Sequence, residues 1–189
     1  MLPITRKGVR ILRPAEYEQL LTALNEHEKA QFNGLLATGM RYIEAVRFQQ
    51  HPEWLDGRFI RLPRGSVLKK RTEFEERTIM LSNWGQKVVP LFLLKANKLP
   101  SRNSWDWLLN DRAKKAGLEM AADGGLCAKT TRKTWESWLI ATYPQAEGLI
   151  AASQGHTQTT QIKHYLGLGF YPEEIESMKK YVEGFLPSF

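Results

Sequence analysis

The sequence predicts an α+β fold, mostly α-helical, with one small antiparallel sheet inserted after the third helix. Three observations predict it. Apolar residues recur at helical spacing along most of the chain, the period falls to two only between Arg58 and Leu81, and no repeat or low-complexity tract divides the sequence. With 189 residues, 42% of them apolar, the chain is long enough to bury roughly 70% of its unfolded surface around one core. The longest apolar run, Val88 to Leu94, contains a proline and is far short of the roughly 20 residues of a membrane span. The first residues lack the layout of a signal peptide, and the single cysteine, Cys127, excludes an internal disulfide or a cysteine zinc cluster. A cytoplasmic protein without a membrane partner is expected.

Residues 1–13 read as a basic, irregular N-terminal arm. Pro14 then opens a helix whose Tyr17, Leu20, Leu21 and Leu24 fall on one stripe. A second helix carries Phe32, Leu35 and Leu36 as far as Gly39, a residue suited to a left-handed cap, and a short third helix runs through Arg41 to Phe48. Alternation of Phe59 and Arg61 with Ile60 and Leu62, then Val67, Leu68 and Thr78 to Leu81, predicts two or three antiparallel strands with KKRTEFEER at the hairpin tip. Helical spacing returns after Asn83. Ser104 is the expected cap of a helix with Trp105, Leu108, Leu109 and Ala113 on one face, ending at Gly117. Thr130 to Thr142 places Trp135, Trp138 and Leu139 on a stripe, and residues 146–154 form a short helix ended by Gly155. Thr157 opens the next, with Ile162, Tyr165 and Leu166 aligned. Pro172, Glu173 and Glu174 start the last, with Ile175, Met178, Val182 and Phe185 as its apolar face. The expected organisation is the arm, a main domain over 14–170 and a tail helix over 171–189.

The net charge of +7 suggests a polyanionic partner. Four aspartates (Asp56, Asp106, Asp111, Asp123) offer no pair at two-metal spacing, and HExxH, GxxxxGK[ST] and GxSxG are absent, so the expected chemistry uses no metal and no cofactor. Four local patterns occur in order. In TGMRYIEAVRF, Arg41 and Glu44 share a helix face, so the carboxylate can fix a guanidinium for bidentate phosphate binding. Lys69 and Lys70 stand at a strand end before the hairpin tip. In KTTRKTWESWL, Lys129 and Arg132 lie three apart at a helix start, where cations oppose the macrodipole and invite an anion. GHTQTTQIKHYLGLG places His156 after a glycine break and Tyr165 nine residues on.

This series resembles the catalytic domain of the tyrosine recombinase (phage integrase) family over about residues 10 to 170. The resemblance puts Arg41, Lys70, Lys129, Arg132, His156 and Tyr165 on the family's active-site positions and Glu44 on its supporting acid, with Lys69 the alternative hairpin lysine. It implies the family's catalytic fold over 14–170. Lys129 stands where most members have histidine, a variation resembling archaeal and archaeal-virus integrases, and the segment from Lys70 to Arg77 is longer than the usual hairpin. The length leaves no room for the N-terminal DNA clamp of full-length members, so an excised catalytic domain or a minimal member is expected.

On this resemblance Arg41 and Arg132 bind the non-bridging oxygens of a phosphodiester, where fixed donors stabilise the transition state. Tyr165 attacks; a free phenol with pKa about 10 is about one part in a thousand ionised at neutral pH, so Lys129 or water takes its proton. His156 donates to a phosphate oxygen and Lys70 protonates the leaving 5′-oxygen. Double-stranded DNA is the implied partner, gripped by Arg6, Lys7, Arg10 and Arg71, with dimers and a tetrameric synapse assembled on it and the tail docking on a neighbouring subunit or on its own core. A nucleoid-associated protein of a prokaryotic host follows. Two other readings use the same residues: a type IB-like topoisomerase, and a catalytically silent DNA-binding regulator derived from an integrase.

Overall fold

Among the residues that the computed structural model describes (2–63, 76–121, 124–155 and 168–186), helices predominate and the strands are short. The helices are α1 (Pro14–Ala23), α2 (Glu26–Thr38), α3 (Tyr42–Gln50), α4 (Asn83–Lys95), α5 (Arg102–Lys115), α6 (Thr130–Thr142), α7 (Glu147–Gln154) and α8 (Pro172–Val182). The strands are β1 (Ile4–Arg6), β2 (Val9–Ile11), β3 (Leu55–Asp56), β4 (Phe59–Leu62) and β5 (Arg77–Met80). The expected sheet follows α3: β3, β4 and β5 are antiparallel in that order, with Ile60 opposite Ile79 and Leu62 opposite Arg77. Alternation puts Ile60, Leu62 and Ile79 into the core and leaves Arg61 and Thr78 outside. Val67, Leu68, the helix expected after Thr157 and all of the expected hairpin tip but Glu76 and Arg77 lie outside the described residues; Arg77, expected at the exposed tip, instead begins β5 and is largely buried.

Helix α6 runs through the centre of the molecule. Its sequence suggests a single stripe, yet Thr130, Thr131, Arg132, Thr134 and Glu136 are buried as well as Trp135, Trp138 and Leu139. Polar groups tolerate burial when they are bonded, and here Thr134 Oγ1 accepts from Leu12 N at 3.0 Å while Trp138 Nε1 donates to Leu12 O at 2.9 Å. α2 packs on α6 and α4.

Two local expectations change, and one of the two alternatives for the tail is taken. The N-terminal arm is an ordered hairpin, β1 paired with β2, turning at a left-handed Lys7 and Gly8. Three-residue strands are too short for their period to stand out in the sequence. Ser101, not Ser104, caps α5: its hydroxyl accepts from Ser104 N at 3.2 Å. The tail helix α8 covers its own core. Met178, Val182 and, beyond the helix end, Phe185 are buried, and Tyr181 packs its ring edge against Tyr17 and Trp84, both at 5.2 Å. Glu183 O accepts from Asn83 N at 2.8 Å, tying the tail to the start of α4. Among the described residues no helix is long and apolar enough to cross a membrane.

Candidate functional site

The corner between α2 and α3 sets the site. Gly39 ends α2 with φ of +58°, a conformation that costs an L side chain, and Arg41 follows in extended backbone as the N-cap of α3. Three residues on, Glu44 turns back: one carboxylate oxygen accepts from Arg41 N and the other from Arg41 Nη1, both at 2.8 Å. The Arg-x-x-Glu spacing thus caps the helix and fixes the guanidinium with one side chain. Glu44 is fully buried, whereas the Arg41 side chain keeps 34% of its surface exposed. The guanidinium can therefore meet an anion from solvent while its carboxylate partner stays out of reach.

Arg132 reaches the same place from the first turn of α6. It is nearly buried, with Nη1 donating to Gly39 O at 2.8 Å and Nη2 donating to Gln154 O. Burial, and then the neighbouring Arg77 and Arg41 cations, push its pKa down to about 10 against the pull of Glu136 and Glu44, so it remains a cation at neutral pH. For Glu44, burial works to raise the pKa, but Arg77, Arg132 and Arg41 together outweigh it and hold the carboxyl below its ordinary range.

The third component is the end of α7. Gly155 closes that helix with φ of +63°, and Arg77 Nη1 lies where its side chain would stand, 2.8 Å from an ideal Cβ. Gln154 O accepts from Arg77 Nη1 at 2.7 Å as well as from Arg132, and Gly155 O accepts from Arg41 Nη2 at 3.4 Å. The negative end of a helix dipole suits this gathering of cations. Arg41, Arg77 and Arg132, drawn from three distant parts of the chain, therefore meet on the two carbonyls that directly precede His156.

Of the residues singled out in the sequence, the structure brings Arg41, Glu44 and Arg132 together. Lys69, Lys70, Arg71, His156 and Tyr165 lie outside the described residues. Lys129 is exposed at the N-cap of α6, where its charge reaches Lys133 one turn on. Arg10 is corrected: it is 3% exposed and ion-paired with Glu16, so it presents no free guanidinium to a phosphate. Lys7 is exposed at the hairpin turn and Arg6 is half-buried. Arg6 O accepts from Lys133 Nζ at 2.6 Å. Burial lowers the Lys133 pKa, with Lys129, Lys7 and Arg6 adding to the fall and Cys127 opposing it, which marks a basic patch beside the site.

Sequence reasoning passed over Arg77, Glu136, Gln154 and Lys133. Arg77 looks like one more charge of the hairpin tip, and only the register of β5 turns it inward. Glu136 and Lys133 each sit four residues after a singled-out cation, Arg132 and Lys129, and that spacing is the available signal.

Four of the five described tyrosines have bonded hydroxyls. Burial raises the pKa of Tyr17, Tyr42, Tyr143 and Tyr181, and their hydroxyls donate to Asn33, Pro100 O, Val182 O and Glu18 respectively. Tyr171 is exposed at the start of α8, beneath the Arg13 guanidinium at 5.6 Å. Among the described residues no group of three or more His, Cys, Asp and Glu side chains is placed to hold a metal ion.

The helical domain with its small inserted sheet shares its fold with solved structures of the Tn1549 transposon integrase. One is in complex with circular intermediate DNA (TM-score 0.61, 15% identity, 95% of this chain and 66% of that chain). The other, a substituted form, is in complex with transposon right end DNA (TM-score 0.61, 16% identity, 95% of this chain and 65% of that chain). The chain thus spans just under two thirds of the integrase chains that it matches. No protein-family model matches the sequence, and no curated protein does.

Proposed function

We propose that this chain is the catalytic portion of a site-specific DNA recombinase of the tyrosine type. One observation carries the reading: Arg41, held by Glu44, and Arg132, 91 positions apart, converge on the adjacent carbonyls of Gly155 and Gln154, just before His156. The fold shared with a transposon integrase solved on DNA supports it.

In this reading Arg41 and Arg132 neutralise the scissile phosphate. Arg41 offers its exposed edge directly; Arg132 exchanges its bond to Gln154 O for a phosphate oxygen. The Tyr165 hydroxyl attacks phosphorus, forming the Oη–P bond as the P–O5′ bond breaks. Lys129 or water takes the phenol proton, Lys70 (or Lys69) gives one to the departing 5′-oxygen, and His156 donates to a non-bridging oxygen. The products are a 3′-phosphotyrosine and a free 5′-hydroxyl. Because the ester keeps the phosphodiester's energy, a hydroxyl from another strand reverses the step and exchanges strands without ATP. The partners are duplex DNA and further copies of the chain, paired as dimers and synapsed as a tetramer in the nucleoid of a prokaryotic host or on a mobile element. The archaeal likeness rests on Lys129 alone, and the transposon neighbours do not extend it.

The test is a nicked suicide duplex spanning the protein's own recombination site, run on a denaturing gel. A covalent protein–DNA band that disappears in Tyr165→Phe is expected. Tight binding to that site with no band leaves a DNA-binding regulator, and relaxation of any plasmid without sequence preference indicates a topoisomerase.

A further inference from the structure

In the sequence Arg77 reads only as a charge of the hairpin tip, yet it bonds to two separate parts of the cluster. It begins β5, directly after the segment that carries Lys69 and Lys70. Its side chain is 9% exposed, and both terminal nitrogens are engaged. Nη2 donates to the Glu44 oxygen that also caps Arg41 N, and Nη1 donates to Gln154 O at 2.7 Å. Bonded through both ends of its fork to Glu44 and to Gln154 O, and far less exposed than Arg41, it acts on the groups that hold Arg41.

We propose that Arg77 is a positioning residue that presets Arg41 for the phosphate. It does so by fixing the Glu44 carboxylate from behind and by seating the α7 end against β5. Glu44 uses both oxygens on Arg41, so any rotation of the carboxylate moves the guanidinium with it. Arg77 is the second cation bonded to that carboxylate, and its bond to Gln154 O fixes the carbonyl beside the one that receives Arg41 Nη2. Gly155 is required for this contact, because a side chain there would collide with the Arg77 guanidinium. One residue thereby ties together the hairpin strand, the α3 cap and the turn into the His156 segment. This inference rests on the proposed recombinase function for its kinetic readout, but not for its structural one.

The experiment compares wild type, Arg77→Met and Arg77→Lys in single-turnover cleavage of two suicide duplexes. One carries the natural scissile phosphate and the other a methylphosphonate, which lacks the non-bridging charge that Arg41 neutralises. Arg77→Met is expected to slow cleavage of the phosphodiester by about 100-fold, the size of losing one preorganised donor, and Arg77→Lys by less. On the methylphosphonate the three proteins are expected to agree within about threefold, because no charge awaits a preset guanidinium. Equal loss on both substrates means that Arg77 only stabilises the fold, and no loss on either means that Arg41 needs no support; each overturns the proposal. If Arg77→Met does not fold, Arg77→Lys carries the same comparison. If wild type cleaves neither duplex, the recombinase reading fails, and the positioning claim is judged by the NMR signal of the Arg41 Nε–H group. That signal is expected to be slow-exchanging in wild type and averaged in the Arg77 variants; an unchanged signal overturns it.

Discussion

Glu44 carries its charge in the interior because three arginines surround it. Replacing it by Gln leaves Arg77 and Arg41 without their acid, and breaking a buried pair in this way costs about 3 kcal/mol or more. The pH dependence follows from the direction of the shift. The folded carboxyl sits below the ordinary glutamate value of 4.5, so its stabilisation is complete above that pH and is lost as pH falls through the folded value. Urea unfolding at a series of pH values is expected to show a wild-type advantage over Glu44→Gln that is largest near neutrality and shrinks towards pH 2. A constant difference across the series contradicts the ion-pair account. Gly39 offers a second test. A Cβ there lies 2.4 Å from Gln154 Oε1 and 2.8 Å from Trp135 Cδ1, on backbone at φ of +58°. Gly39→Ala is expected to cost about 2 kcal/mol or more through strain and overpacking, read as a lowered thermal midpoint. The Arg41 and Glu44 pair was legible because it is local. Arg77 was not, because a charge beside a charged hairpin reveals its partner only through strand register.

Among the elements, α8 decides whether the tail is free to leave. Met178, Tyr181, Val182 and Phe185 fill the space beside α6, α4 and α1, and large-to-small changes at such sites cost about 2–5 kcal/mol each. Their combined loss, about 8–20 kcal/mol, is as large as the roughly 5–15 kcal/mol of a typical domain. Truncation before Pro172 is therefore expected to abolish cooperative thermal unfolding and to bind a hydrophobic dye. A truncated chain that still melts sharply would show that α8 is dispensable. Docking of the tail on a neighbouring subunit then requires the neighbour's α8 to take the same place, an exchange of like for like. Long amphipathic helices such as α1 and α2 were readable from their periodic residues. The near-complete burial of α6 was not, since Thr130, Thr134 and Glu136 look solvent-facing until partners from β2 and the α2 corner are in place.

For the whole molecule, the +7 charge resolves into two populations. Arg10, Arg13, Arg77 and Arg132 are turned inward, and the first three are ion-paired there with Glu16, Glu174 and Glu44. Lys7, Lys129 and Lys133 gather beside the β1–β2 turn and the start of α6. On the proposed function this patch grips phosphates, and each contact steepens the fall of log affinity with log salt by about 0.9. Lys129→Ala and Lys133→Ala are each expected to flatten that slope by roughly one in a titration of duplex DNA, and to weaken binding equally for all sequences. An unchanged slope would place the DNA elsewhere. On the proposed function Tyr165 becomes covalently joined to DNA, and peptide mapping of the trapped adduct by mass spectrometry tests this most directly. The account predicts a nucleotide-bearing peptide modified at Tyr165; modification at Tyr171, which lies close by in the sequence and is exposed, or no modified tyrosine on a bound and verified site, would contradict it.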